Sequence, residues 1–77
     1  MLNILEFREK VREKIYRMEF IKGTKRNEVF VISSDRMLDG SYHAILKTPQ
    51  NIYLTNYKNN KLAVIGYKKD TEQITDL

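Results

Sequence analysis

The sequence predicts an α+β protein in which one N-terminal amphipathic helix packs on a four-stranded antiparallel β-meander. Over the first twenty residues, apolar side chains recur every three or four positions, which is typical of an amphipathic helix. After residue 27, short runs rich in β-branched and aromatic residues alternate with turn signals, which is typical of strands joined by hairpins. The chain has 77 residues, enough for one compact domain spanning residues 1–77.

The helix is predicted over about residues 4–21. The apolar positions that share its inner face are Ile4, Phe7, Val11, Ile15 and Met18. Asn3 is a good N-cap, and Glu6 three residues later completes the pattern of a capping box. Gly23 suits the left-handed conformation that commonly ends a helix.

The strands are predicted at about residues 28–33, 41–47, 52–58 and 61–67. Asp39-Gly40 indicates a turn before the second strand, and residues 48–51 form a second turn of four residues. Asn59-Asn60 predicts a hairpin, because asparagine tolerates the positive φ angles of a two-residue turn. The polar residues 68–77 then form a tail, either as a short helix or as a frayed end.

The hairpin register assigns the strand side chains to two faces of the sheet. With a two-residue turn, Tyr57 faces Leu62 and Leu54 faces Ile65, and alternate residues share a side. Neither side is plainly polar, and one helix covers only one of them. We therefore expect an apolar, tyrosine-rich face to remain open, although the pattern leaves undecided which face the helix covers.

This open face predicts a non-catalytic binding protein that acts as an inhibitor, adaptor or regulator of a larger complex. The predicted protein-binding residues are Tyr42, Leu46, Tyr53, Tyr57, Leu62 and Val64 on the sheet, with Met37 and Leu38 in the loop before the second strand. The face would be covered by another protein, by a second copy in a homodimer, or by the chain's own tail through Ile74 and Leu77. In size and style the chain is similar to accessory products of phages and mobile elements, an analogy that rests on no motif. Alternatively, the tyrosines simply tile a half-solvated sheet.

Nucleic-acid binding is the alternative function. Residues 41–69 contain no acidic residue but carry lysines and tyrosines, which can neutralise phosphates and stack on bases. The predicted contacts are Lys47, Lys58, Lys61, Lys68 and Lys69, with Lys25 and Arg26 at the helix exit. No helix-turn-helix, RRM, KH or zinc-finger signature is present, and lysines at strand ends also keep sheet edges from pairing with other chains.

Composition argues against several other classes of protein. The chain has no cysteine and one histidine, so we expect no disulfide, metal or cofactor. His43 has serines and aspartates nearby, the residue types of a hydrolase triad, but no nucleophile motif accompanies them and we predict no enzymatic activity. Because no apolar run approaches about 20 residues and no signal-peptide pattern is present, we expect a soluble cytoplasmic protein without a membrane partner.

Overall fold

The computed structural model describes the backbone of residues 2–69 and the side chains of residues 2–66. Its main elements are α1 (Ile4–Glu19), β1 (Phe30–Arg36), β2 (Tyr42–Lys47), β3 (Asn51–Lys58) and β4 (Lys61–Lys69). The strands form one antiparallel sheet in the order β1-β2-β3-β4, and α1 packs on one of its faces. The predicted fold class is therefore confirmed. Residues 70–77 of the predicted tail lie outside the described residues.

Both ends of α1 follow from local sequence signals. The Asn3 side chain accepts a hydrogen bond from the Glu6 backbone N–H at 2.9 Å, and the Glu6 carboxylate accepts one from the Asn3 backbone N–H at 3.3 Å. This is the predicted capping box. After Glu19 the chain tightens into a 3-10 turn, Phe20–Lys22, and Gly23 closes it at φ +89°.

The inner face of α1 differs from the predicted one at its last position. Phe7, Val11 and Ile15 are fully buried as expected, but Met18 is exposed and its neighbour Glu19 is fully buried instead. The hydrogen bonds described below hold the Glu19 carboxylate inside, and they favour this residue over methionine at the end of the helix.

Strand β1 begins and ends later than predicted. Residues 26–28 form a 3-10 turn rather than the start of a strand, because the Glu28 carboxylate accepts a hydrogen bond from the Lys25 amide at 2.7 Å. At its other end β1 continues to Arg36, which pairs with Tyr42. The predicted loop therefore shrinks to a tight turn, in which Gly40 has a φ of +89°.

The two later turns form as predicted, but the register of β4 shifts part of the way along. In the β3–β4 turn, Asn59 and Asn60 adopt φ angles of 53° and 61°. In the β2–β3 turn, the Thr48 backbone N–H donates to the Asn51 backbone carbonyl at 2.9 Å. Beyond Val64, however, a β-bulge makes Gly66 the residue opposite Leu54, where the sequence predicted Ile65. Strand β4 then extends to Lys69, so that its last two residues belong to the sheet and not to a tail.

Candidate functional site

The tyrosine-rich face lies beneath α1, and the expectation that it remains open is wrong. Tyr42, Leu46 and Tyr53 are core residues, each no more than 9% exposed. The Phe7 ring stacks on Tyr42 with 5.3 Å between centroids, and the Tyr42 hydroxyl donates to the Leu2 carbonyl at 3.0 Å. The remaining predicted residues of this face are Tyr57, Leu62 and Val64, all half-buried against the same core.

The opposite face, which we call the outer face, is aliphatic. One large side chain from each strand contributes to a row that crosses the sheet. We call this set the aliphatic row: Ile32, Ile45, Leu54 and Ile65, which are 56%, 37%, 44% and 57% exposed. Phe30 also lies on the outer face and is similarly exposed. An apolar face of this kind, uncovered within residues 2–69, is the main candidate surface of the molecule.

Two β-bulges complete the aliphatic row at its ends. In β1, Val31 pairs with Leu46 and Ser33 with Ile45, which leaves Ile32 as the extra residue. In β4, Ile65 is the extra residue between Val64, which pairs with Thr55, and Gly66, which pairs with Leu54. Bulges redirect side chains and bend strands locally. As a result, both edge strands add an isoleucine beside the central Ile45–Leu54 pair.

A shallow pocket of about 250 Å³ lies in the middle of the outer face. Ser33, Asp35, Met37 and His43 line it together with members of the aliphatic row. Leu38, next to Met37, is fully exposed in the turn. The two apolar loop residues singled out in the sequence are therefore accessible, and Met37 adjoins the outer face.

The hydrolase residues of the sequence analysis come together in part but do not form a catalytic arrangement. Ser33, Asp35 and His43 share the pocket, yet no hydrogen bond joins these three described side chains to one another. A serine nucleophile needs a base within hydrogen-bond reach. Among residues 2–69, there is also no cluster of three histidine or acidic side chains that could hold a metal ion.

The predicted nucleic-acid residues lie on different parts of the molecule. Lys25 and Arg26 follow the helix, and the Arg26 guanidinium lies 4.2 Å from the centre of the Tyr16 ring and pairs with Glu13. This hydrogen bond from Arg26 lowers the pKa of Glu13 below its ordinary value. Lys47 ends β2, whereas Lys58 and Lys61 flank the hairpin at the other end of the sheet. The side chains of Lys68 and Lys69 lie outside the described ones.

Lys58 is engaged by an acidic partner in the neighbouring turn. Its ammonium lies 3.3 Å from the Asp39 carboxylate, which also accepts hydrogen bonds from the Ser41 hydroxyl and amide. These bonds, with those from Ser41 first, hold the pKa of Asp39 far below its ordinary value. Asp39 therefore ties the β1–β2 turn to the hairpin.

A different set of cations lines a cleft between α1 and the β3–β4 hairpin. This helix–hairpin cleft has a volume of about 610 Å³. The cleft is lined from the helix by Lys10, Lys14, Arg17, Glu13 and Met18, and from the hairpin by Tyr57, Asn60 and Leu62. Glu13 pairs with Arg17 at 3.3 Å, so the cleft keeps an excess of positive charge through the two lysines. Lys10, Lys14 and Arg17 are not among the predicted nucleic-acid contacts, although their spacing of four and three residues places them on one side of a helix.

A buried carboxylate lies at the junction of α1 with the β2–β3 turn. Glu19 accepts hydrogen bonds from the hydroxyls of Thr24 at 2.7 Å and Thr48 at 2.8 Å, from the Asn51 amide at 3.2 Å and from the Tyr53 hydroxyl. We call these five residues the Glu19 cluster. Burial raises the pKa of the Glu19 carboxyl, but the four hydrogen bonds lower it more, and the pKa lies below its ordinary value.

The Glu19 cluster is structural rather than a ligand site. Both carboxylate oxygens are occupied, and within the described residues no buried side-chain nitrogen or oxygen lacks a hydrogen-bond partner. Its members come from the helix end, the following turn and the β2–β3 turn. The cluster therefore fixes the end of α1 against the sheet through hydrogen bonds.

Within the described residues, no helix is long and apolar enough to cross a membrane. Comparison with known proteins finds no matching family model, no matching curated protein and no matching solved structure, so no function is carried to this chain from a relative.

Proposed function

We propose that this chain is a non-catalytic protein-binding module whose working surface is the outer face of its sheet. The aliphatic row carries the proposal, because each of its four side chains is more than a third exposed. Small proteins rarely expose a contiguous apolar patch of several hundred Å² without a partner. The two bulges lie in the edge strands, where bulges are common, and each adds an isoleucine to the row.

The surroundings of the row also suit a protein partner. The centre of the face is apolar, while charged side chains, including Asp35 and Lys61, lie toward its margins. An apolar centre with a polar rim is the usual anatomy of a protein–protein interface. Met37 and Leu38 extend the apolar surface at one end. An inhibitor, adaptor or regulator would use such a surface without chemistry of its own.

Nucleic-acid binding stays a second candidate, and the helix–hairpin cleft is the feature that favours it. The cleft presents Lys10, Lys14 and Arg17 beside the Tyr57 ring. Cations beside an aromatic ring are what a single-stranded nucleic acid requires of a binding groove. This surface lies on the helix side of the molecule, so the two candidate functions can be tested separately.

Site-specific photo-cross-linking in the cell of origin tests the proposed function. Ile45→p-benzoylphenylalanine and Leu54→p-benzoylphenylalanine place the reactive group on the outer face. Leu5→p-benzoylphenylalanine is the matched control, because Leu5 is an aliphatic residue on α1 and is 69% exposed. We expect discrete protein adducts, identified by mass spectrometry, from positions 45 and 54 and none from position 5. Absent adducts at both outer-face positions, or the same adducts from position 5, would overturn the proposal.

A further inference from the structure

We infer that the partner of the outer face is a second copy of this chain, with the two sheets packed face to face about a two-fold axis parallel to the strands. The inference rests on the proposed function and names the partner of the same surface. A two-fold interface presents one patch twice, so the patch has to complement itself. The outer face meets this condition in its apolar side chains and in one pair of opposite charges, Asp35 and Lys61.

The aliphatic row complements itself about the midline of the sheet. A two-fold axis between β2 and β3 places β2 against the partner's β3, and β1 against the partner's β4. Ile45 and Leu54 are cross-strand neighbours, so Ile45 meets the partner's Leu54 across the interface and Leu54 meets the partner's Ile45. Ile32 and Ile65 are the extra residues of the two bulges and lie on either side of the Ile45–Leu54 level. Because they are only about one residue, roughly 3.3 Å, apart along the strands, their side chains also meet across the interface. Each side chain of the row thus contacts an aliphatic one.

The charges of the outer face complement each other under the same symmetry. Within residues 2–66, the outer face carries one acidic strand residue, Asp35, which lies on β1. Lys61 lies on β4 and forms no ion pair with another residue of the described part of the chain. Within one sheet the two residues are separated by β2 and β3. In the proposed dimer, Asp35 comes within reach of the partner's Lys61.

The outer face also has the area that a dimer needs. The aliphatic row and Phe30 are each roughly half exposed, and together they offer on the order of 450 Å² of apolar surface. Sheets that pack about 10 Å apart also cover the side chains around such a row. Ile52, His43 and Ala63 are among those side chains. The row and Phe30 therefore supply about half of the roughly 800 Å² per partner of a standard interface, and the surrounding side chains add to it.

Sedimentation equilibrium of the purified full chain tests the inference. We expect a reversible dimer whose Kd lies in the micromolar range. Leu54→Arg brings two cations, one from each copy, into the apolar centre and is expected to raise the Kd at least about 100-fold. Leu5→Arg is the matched control and is expected to leave the Kd unchanged. Circular dichroism checks that both variants keep the fold, which is expected because both positions are exposed.

A charge exchange tests the direction of the axis. Asp35→Lys and Lys61→Asp each bring like charges together across the interface, and each is expected to raise the Kd about tenfold. The double variant restores opposite charges at the same two places, and its Kd is expected to return to within about threefold of wild type. If the double variant instead dimerises more weakly than either single variant, the proposed arrangement is contradicted.

A monomer at every concentration up to about 500 μM, or a Leu54→Arg variant that dimerises like wild type, would overturn the inference. The proposed function fails separately. A monomer that still gives adducts with another protein from position 45 assigns the outer face to that protein. A monomer with an internal cross-link from position 45 to residues 70–77 assigns the face to the chain's own last residues. A monomer with no adduct removes both proposals.

Discussion

Replacing Glu19 tests the strongest internal contact of this fold. In Glu19→Gln, an NH2 group that can only donate replaces one carboxylate oxygen. In the wild type, every polar partner of the carboxylate donates to it. The Thr24 hydroxyl can turn to accept from that amide, and the remaining oxygen then faces Thr48, Asn51 and Tyr53. All four bonds also lose the charge of their acceptor. We therefore expect the substitution to preserve the fold and lower its stability.

The magnitude follows from the number of bonds. A hydrogen bond to a charged group contributes about 1.5–3 kcal/mol, against about 0.5–1.5 kcal/mol for a neutral one. Burial of the charged carboxylate also costs desolvation free energy, and the neutral amide largely avoids that cost. The net loss of stability is therefore smaller than the sum over the four bonds. We expect Glu19→Gln to lower the free energy of unfolding by about 2 kcal/mol and Glu19→Ala, which leaves the donors without an acceptor, by about 4 kcal/mol. A chain of this length has a total stability of roughly 4–12 kcal/mol.

Urea unfolding followed by circular dichroism at pH 7 measures these losses. Glu9→Gln is the matched control, since Glu9 is an exposed carboxylate of the same helix and pairs only with Arg12 within the described residues. It should change the stability by less than about 0.5 kcal/mol. A Glu19→Gln variant as stable as the control would refute the reasoning.

The pH dependence provides a second check. Because the pKa of Glu19 is lower in the folded chain than its ordinary value of 4.5, the carboxylate contributes its full stabilisation above that value. This contribution is lost as the pH falls through the folded-state pKa. The difference between wild type and Glu19→Gln should therefore narrow as the pH is lowered below about 4.5. A difference that stays constant or widens on acidification would show that the charge of Glu19 is not stabilising.

Two further predictions concern the hairpin and the cleft. Asn60 has a φ of 61°, which a β-branched residue adopts only with strain. In urea unfolding, Asn60→Val should lower the free energy of unfolding by about 1–2 kcal/mol, and Asn60→Gly should keep it or raise it slightly. A valine variant as stable as wild type would contradict this turn. If the helix–hairpin cleft binds single strands, the affinity for a fluorescent 12-nucleotide oligomer (measured by anisotropy) should fall with salt at a logarithmic slope of about −2 for three phosphate contacts. Lys14→Glu should weaken this binding about tenfold or more, Lys25→Glu outside the cleft should not, and absent binding at low salt would remove the candidate.

The elements of this fold are predictable where a local signal determines them. The Asn3–Glu6 capping box and the Asn59-Asn60 turn involve residues within three positions of each other, and the structure forms both. The alternation of side chains also assigns Tyr53, Thr55 and Tyr57 correctly to one face. Beyond Val64 the register is wrong, because a bulge inserts one residue without any signal in the local pattern.

The side covered by the helix could not be predicted from hydropathy, because both faces of the sheet are apolar. Two tyrosines are buried because distant groups satisfy their hydroxyls: Tyr42 donates to the Leu2 carbonyl and Tyr53 to Glu19. A buried tyrosine needs such a partner. The partners lie 40 and 34 residues away in the chain, and only the tertiary structure brings them into contact.

The burial of Glu19 was missed for the same reason. Its position next to Met18 at the end of an apolar stripe gives no indication of which residue turns inward. The choice depends on donors at Thr24, Thr48 and Asn51, which belong to two different turns. The sequence signal that could have found it is the run of small polar residues at both turns near a helix end.

The apolar character of the outer face is not explained by packing within residues 2–66. The core of the described residues lies between α1 and the opposite face, and no member of the aliphatic row belongs to it. Strand propensity explains a β-branched residue at positions 32, 45 and 65, but threonine satisfies that preference equally without exposing an aliphatic group to water. It does not explain leucine at position 54, which is unbranched at Cβ. Four aliphatic side chains that lie next to one another across all four strands, with the two edge isoleucines on either side of the central Ile45–Leu54 pair, fit a single flat partner surface better than four unrelated exposures.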